Sequence, residues 1–186
     1  MQHLTTERLV LRPMQLADAP GLLELDRDPA VRRYLGGIGG PLATSLAASE
    51  DIIRFIRAQY AANGIGRWAV LLRATGEFMG WAGLKLVAGP VNEQRDFYDL
   101  GYRFRSCYWG RGYGHEAAQA WLAYGFGTLR LPRICAYADA ENAGSRRILE
   151  KIGLRPGHTF VEGGTACVWY EAARPAAGVA ASGPLP

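Results

Sequence analysis

The sequence predicts one mixed α/β domain, a sheet carrying helices on its faces. Three observations lead there. Segments with the period-two pattern of strands interleave with segments of helical period. Short turn-rich links also join strands directly, which argues against a purely parallel sheet. The bulk composition is that of an ordinary globular chain: 186 residues, 49% hydrophobic and 20% charged, or one domain's worth.

Thr5–Pro13 reads as the first strand, with Leu9 and Leu11 alternating against Arg8, Val10 and Arg12 until Pro13 closes it. Asp18 is placed to cap a helix over Ala19–Asp26. Asp28-Pro29 starts another, running to about Leu35, because proline suits the first helical position. Gly36–Pro41 is then a flexible loop. Ser45 opens a longer helix, with Leu46, Ile52, Ile53, Ile56 and Tyr60 on one stripe and Asn63-Gly64 as its stop.

Arg67–Leu72 and Phe78–Leu86 are strands joined by a hairpin turn, and Asp96–Arg105 is a fourth, rich in Phe and Tyr. Gly114–Gly125 is a helix with Ala117, Ala118, Trp121 and Leu122 facing inward. Arg133–Ala138 is the fifth strand. Asn142–Ile152 is a helix stopped by Gly153, and Arg155–Val161 and Cys167–Ala172 pair around Gly163-Gly164. The Ala/Gly/Pro-rich residues 174–186 are expected to form a disordered tail, leaving 1–173 as the domain.

The charge balance excludes several classes. The chain carries +4, and all but Lys85 and Lys151 of its 21 basic residues are Arg. No run of like charges suggests nucleic acid, though one basic spot suits a small anion. Cys107, Cys135 and Cys167 are far apart and odd in number, which disfavours a disulfide framework or a structural zinc. Neither a signal-peptide pattern nor an apolar run of about 18 residues is present, so no membrane role and a cytoplasmic location are expected. Glycine is the surplus residue, at 24 of 186, roughly twice its usual share.

Three of these glycines fall in the most informative stretch, Tyr108-Trp109-Gly110-Arg111-Gly112-Tyr113-Gly114-His115-Glu116-Ala117, between a predicted strand and a predicted helix. Free amides of a first helical turn, together with the helix dipole, attract phosphate, and Arg111 adds a charge beside them. A P-loop needs Gly-Lys-Ser/Thr, which is absent. A G-x-G-x-x-G fingerprint starting at Gly110 fails at His115, although Asp139 sits where a ribose-binding acid would be sought. On spacing alone, a glycine turn that merely joins strand to helix stays open.

The same segment resembles the coenzyme A loop of the GNAT N-acetyltransferases, in the Tyr-Trp-Gly-x-Gly-Tyr form of the RimJ/RimL-like branch, with Glu116-Ala117 following. Trp109 departs from the Q/R of the general pattern. Thr6–Pro13, Leu100-Gly101-Tyr102-Arg103 and Glu141-Asn142 through Ser145, Leu149-Glu150-Lys151 and Gly153-Leu154 match in the same order. The likeness runs from about Leu4 to Ala172. It implies a largely antiparallel sheet of about six to seven strands, with helices on both faces and a splay between the fourth and fifth strands.

The resemblance further implies acetyl-CoA as co-substrate and no metal. Its pyrophosphate would lie on Arg111, Gly112, Tyr113, Gly114 and His115, and its pantetheine along Phe104, Arg105 and Ser106. Asn142 would cap its helix and touch the cofactor; Ser145 would assist the departing thiolate. An amine acceptor must lose a proton to attack, and Asp99 is the first candidate to take it. Glu116 is expected in structural hydrogen bonds. Tyr34, Trp68, Trp81 and Tyr102 are candidates for the acceptor pocket, each with a core role as the alternative. The acceptor would be a peptide N-terminus or a small amine, with the chain a monomer or homodimer. A non-catalytic coenzyme A or nucleotide-binding module is the competing reading, and a dinucleotide enzyme a third.

Overall fold

The computed structural model describes residues 3–35, 37–38 and 40–175. Residues 176–186 of the expected tail, and Gly36 and Gly39 of the expected glycine loop, lie outside the described residues. The strands are β1 Leu4–Thr5, β2 Leu9–Pro13, β3 Arg67–Leu72, β4 Phe78–Val87, β5 Phe97–Phe104, β6 Arg133–Asp139, β7 Arg155–Glu162 and β8 Thr165–Ala173. They form one eight-stranded sheet in the order β1-β2-β3-β4-β5-β6-β8-β7. All neighbours are antiparallel except β5 and β6.

The strand count exceeds the sequence reading because the first predicted strand is broken. Between β1 and β2 the chain turns, with Thr6 N–H bonding Leu9 O at 3.0 Å, and Thr6 and Arg8 reach across to Glu116. The helices are α1 Ala19–Arg27, α2 Pro29–Arg32, α3 Leu46–Asn63, α4 Tyr113–Gly127 and α5 Ala143–Lys151. Asp28, Ser45 and Asn142 cap α2, α3 and α5 by accepting backbone N–H groups. Asp18, expected to cap α1, makes no such bond there. Its carboxylate instead takes the Arg12 guanidinium at 2.7 Å and the Gln15 N–H at 2.8 Å. A charged partner outweighs a neutral cap.

Alternation along the strands decides which helices cover which face. Leu9, Leu11, Val70, Leu84, Leu100 and Ile134 bury one face under α4 and α5, around the fully buried Trp121. Ala69 and the strand-flanking Met14 meet Leu22, Leu25, Ile53 and Ile56 of α1 and α3 on the other. Helices therefore lie on both faces, as the sequence suggested.

The register of β5 carries most of the functional geometry. Against β4 it pairs along its whole length, from Gly80↔Phe104 to Val87↔Phe97. Against β6 the register holds one pair among the described residues, Asp99↔Cys135. Beyond that pair the two parallel strands are unpaired with one another, and the residues that follow on both, Leu100–Phe104 and Tyr137–Asp139, line an open gap between their carboxyl ends. The chain leaves β5 toward α4 and leaves β6 toward α5, and both helix N-termini face the gap. Ligands of α/β sheets bind at such carboxyl ends.

Candidate active site

A cleft of about 940 Å³ opens at this splay, lined by β5 and β6, the amino ends of α4 and α5, and residues of α1 and α3. The α4 side is built from the glycine loop. Gly112 is left-handed, with φ 82°, and provides no side-chain cap. A non-glycine residue there is strained. The Glu116 N–H starts the helical ladder by bonding Gly112 O at 3.0 Å. The amides of Tyr113, Gly114 and His115 precede that bond and have no acceptor within the helix.

Arg8 completes this corner, and the sequence reading did not single it out. Its guanidinium bonds Arg111 O at 2.9 Å and Glu116 Oε2 at 2.7 Å, and stacks 4.5 Å from the Tyr113 ring centroid. Thr6 Oγ1 and Arg8 N–H donate to Glu116 Oε1 at 2.5 and 2.9 Å. Burial alone would raise the Glu116 pKa, but the hydrogen bonds from Thr6 and Arg8 outweigh it and hold the carboxyl below its ordinary value. Glu116 therefore anchors the loop, as expected. Arg111, by contrast, is exposed, and it lies outside the cleft lining. Arg8 does line the cleft.

The α5 side holds Asn142, Ser145 and Tyr102. Asn142 Oδ1 accepts the Ser145 N–H at 3.0 Å. The Tyr102 hydroxyl donates to Ser145 O at 3.0 Å and lies 3.1 Å from Ser145 Oγ. Burial pushes the Tyr102 phenol well above its ordinary pKa, so it stays protonated.

The floor is a strip of charge along β5. Asp99 is buried, and its Oδ2 accepts from Arg67 Nη2 at 2.5 Å, with Lys85 Nζ 4.0 Å away. Arg67 also bonds the backbone oxygens of Asp99 and Gly83. The guanidinium lies over Gly101, where a Cβ would come 2.5 Å from Arg67 Nη2. With Arg67 fixed by these bonds, only glycine fits. Burial lowers the Lys85 pKa, with Asp99 partly opposing. Farther along, Arg103 pairs with buried Asp26 at 2.7 Å, and Trp81 lies 5.3 and 5.0 Å from the Arg67 and Arg103 guanidinium carbons.

The expected acceptor aromatics separate. Tyr34 and Trp81 line the cleft. Tyr102 also lines it, on the opposite face of β5 from Asp99, held against Ser145. Trp68 does not; it packs edge-on against Trp121 at 4.8 Å in the core. Alternation explains this: Trp68 and its neighbour Ala69 point to opposite faces, and Ala69 takes the α1–α3 side.

The backbone of Phe104–Ser106 is already occupied. Phe104 O accepts the Trp109 indole N–H at 2.8 Å, Arg105 N–H bonds Met79 O at 3.0 Å and Ser106 N–H bonds Asp28 Oδ2 at 2.9 Å. Of the three, Phe104 lines the cleft. The edge of β5 that lacks a strand partner lies one step earlier, past Asp99, at Gly101–Arg103. Cys135 and Cys167 are buried, and burial pushes both thiols up to about 11, far from a reactive thiolate. No described helix is long and apolar enough to cross a membrane.

Residues 8–155 match the family model described as an acetyltransferase (GNAT) domain. An uncharacterized N-acetyltransferase, p20, of Bacillus licheniformis is 30% identical over 155 residues, covering 83% of each chain. A putative GNAT-family acetyltransferase structure from Bordetella pertussis superposes with a TM-score of 0.77 at 26% identity, covering 93% of this chain and 100% of that one. RimL, described as a ribosomal alpha-N-protein acetyltransferase in complex with coenzyme A, has the same fold, with a TM-score of 0.76 at 13% identity, covering 92% and 98%.

Proposed function

The chain belongs to the GNAT acetyltransferase family, and from that premise we propose that it moves an acetyl group from acetyl-CoA to a primary amine by direct attack in a ternary complex. The observation that carries this reading is the single-pair contact of β5 and β6 beside an uncapped helix N-terminus. The two features suit the two halves of the cofactor. The pyrophosphate is an anion for the amides of Tyr113, Gly114 and His115, with Arg8 and the backbone at Arg111 and Gly112 beside them. The amide-rich pantetheine suits the open edge of β5 at Gly101–Arg103, and Asn142 closes the far side. Phe104 bounds that edge, and Arg105 and Ser106 hold the turn that follows it.

The chain's own groups divide the work. Asp99 draws the acceptor's ammonium to the splay. Asp99, with Arg67 on its Oδ2, faces the splay as the group to take the proton that nitrogen releases, directly or through water. Ser145 donates a hydrogen bond to the leaving sulfur. Tyr34 and Trp81 flank the acceptor, a peptide N-terminus or a small-molecule amine. Two relatives favour an amine acceptor in general: p20 is named an N-acetyltransferase and RimL acts on a protein α-amine.

The test is a coenzyme A release assay with acetyl-CoA and a panel of short peptides and small amines side by side. Stoichiometric coenzyme A and N-acetylated product from at least one class is the expected result. Acetyl-CoA that binds but is turned over with no amine in the panel defeats the reading.

A further inference from the structure

We propose that Tyr102 is a positioning residue for Ser145, so that the two hydroxyls act together on the departing sulfur. The inference rests on the acetyl-transfer reading above and goes beyond it by assigning a role to the β5 face opposite Asp99.

Tyr102 stands on the open edge of β5 and Ser145 in the first turn of α5, so their contact spans the splay. Ser145 is held at three atoms. Its N–H goes to Asn142 Oδ1 at 3.0 Å, its carbonyl accepts the Tyr102 hydroxyl at 3.0 Å, and its Oγ lies 3.1 Å from the same hydroxyl. A serine side chain otherwise has three staggered rotamers of similar energy. Contact with a buried phenol selects among them.

The phenol has one proton and two neighbours to which it can give it, Ser145 O and Ser145 Oγ. During transfer the C–N bond forms, the C–S bond breaks and its electron pair leaves on sulfur. The proton lost by nitrogen goes to Asp99 or water. As negative charge grows on sulfur, the Ser145 O–H turns toward it, and Ser145 Oγ becomes a better acceptor for Tyr102. Hydrogen bonds in series strengthen one another in this way. The phenol keeps its proton throughout, because burial holds its pKa high.

A double-mutant cycle tests this, with initial rates for wild type, Tyr102→Phe, Ser145→Ala and the double variant. Each single change is expected to lower kcat about tenfold, the size of one lost hydrogen bond, with KM for acetyl-CoA within twofold. The double variant is expected to be no slower than Ser145→Ala alone. The carbonyl of residue 145 survives in Ser145→Ala. A purely structural Tyr102 bond would thus still be lost there, and the two effects would multiply. Multiplied effects overturn the proposal. So does a wild-type kcat in either single variant. Thermal melting and coenzyme A binding verify that each variant is folded. A folded wild type that acetylates no amine is a different failure, that of the proposed function itself.

Discussion

Glu116 ties the amino end of α4 to the turn between β1 and β2. It accepts hydrogen bonds from Thr6 and from the backbone and side chain of Arg8, residues more than a hundred positions earlier. Removing it leaves those donors unmatched, at a cost of about 1–3 kcal/mol. The folded-state pKa of Glu116 is depressed below the ordinary 4.5. Its stabilisation is therefore fully present above about pH 4.5 and lost as pH falls through the lower folded value. Urea unfolding of wild type and Glu116→Gln from pH 3 to 7 should show a stability gap at neutrality that narrows in acid. A gap that is constant or widens in acid contradicts this assignment. The sequence made Glu116 a structural residue but left its partners unnamed, because no spacing rule connects residues 110 positions apart. Arg8 carries no local signal of its role for the same reason. Asp18 misled in the opposite sense: it has the residue type and place of a cap, but a guanidinium six residues earlier takes its carboxylate.

At the scale of elements, local signals were enough where no charged side chain competed for the capping group. Asp28, Ser45 and Asn142 cap the helices they precede, and Gly64 ends α3 in a left-handed turn. The glycine loop is the same kind of signal, and it marks the α4 amino end in both sequence and structure. Gly112→Val tests that element. The substitution puts a β-branched residue at φ 82° with its Cβ 3.3 Å from Arg8 Nη2. Left-handed backbone costs such a residue roughly 1–2 kcal/mol, and the displaced Arg8 weakens anion binding. Coenzyme A affinity measured by calorimetry should fall about tenfold or more while the fold survives, since ~1.4 kcal/mol is one decade. Unchanged affinity would take the pyrophosphate away from this loop. What local patterns could not convey was the face of a strand residue in three dimensions. Trp68 and Trp81 look alike in sequence, yet one fills the core and the other borders the cleft.

At the scale of the whole molecule, the organising feature is the gap between β5 and β6, which share a single paired position among the described residues. The β5–β6 gap brings together a glycine loop, a capped helix and a strip of buried ion pairs that lie far apart in the chain. Buried pairs such as Arg67–Asp99 and Arg103–Asp26 contribute little net stability over apolar packing, and breaking one is costly. Their position on the cleft floor puts them on the side that the proposal assigns to the acceptor. The ordered family motifs made the fold legible from sequence, and they locate the loop to which the proposal assigns the cofactor's pyrophosphate. The proposed acceptor side was less legible, since Arg67 and Lys85 carry no motif and meet the β5 residues only through the register of β3, β4 and β5.

The central claim, that acetyl passes directly between two molecules held in this cleft together, is tested most directly by initial-rate kinetics. Acetyl-CoA and an active amine are varied over a grid. Intersecting reciprocal lines are predicted, since both substrates must be bound before any product leaves. Parallel lines, as a covalent acetyl-enzyme produces, would contradict the account.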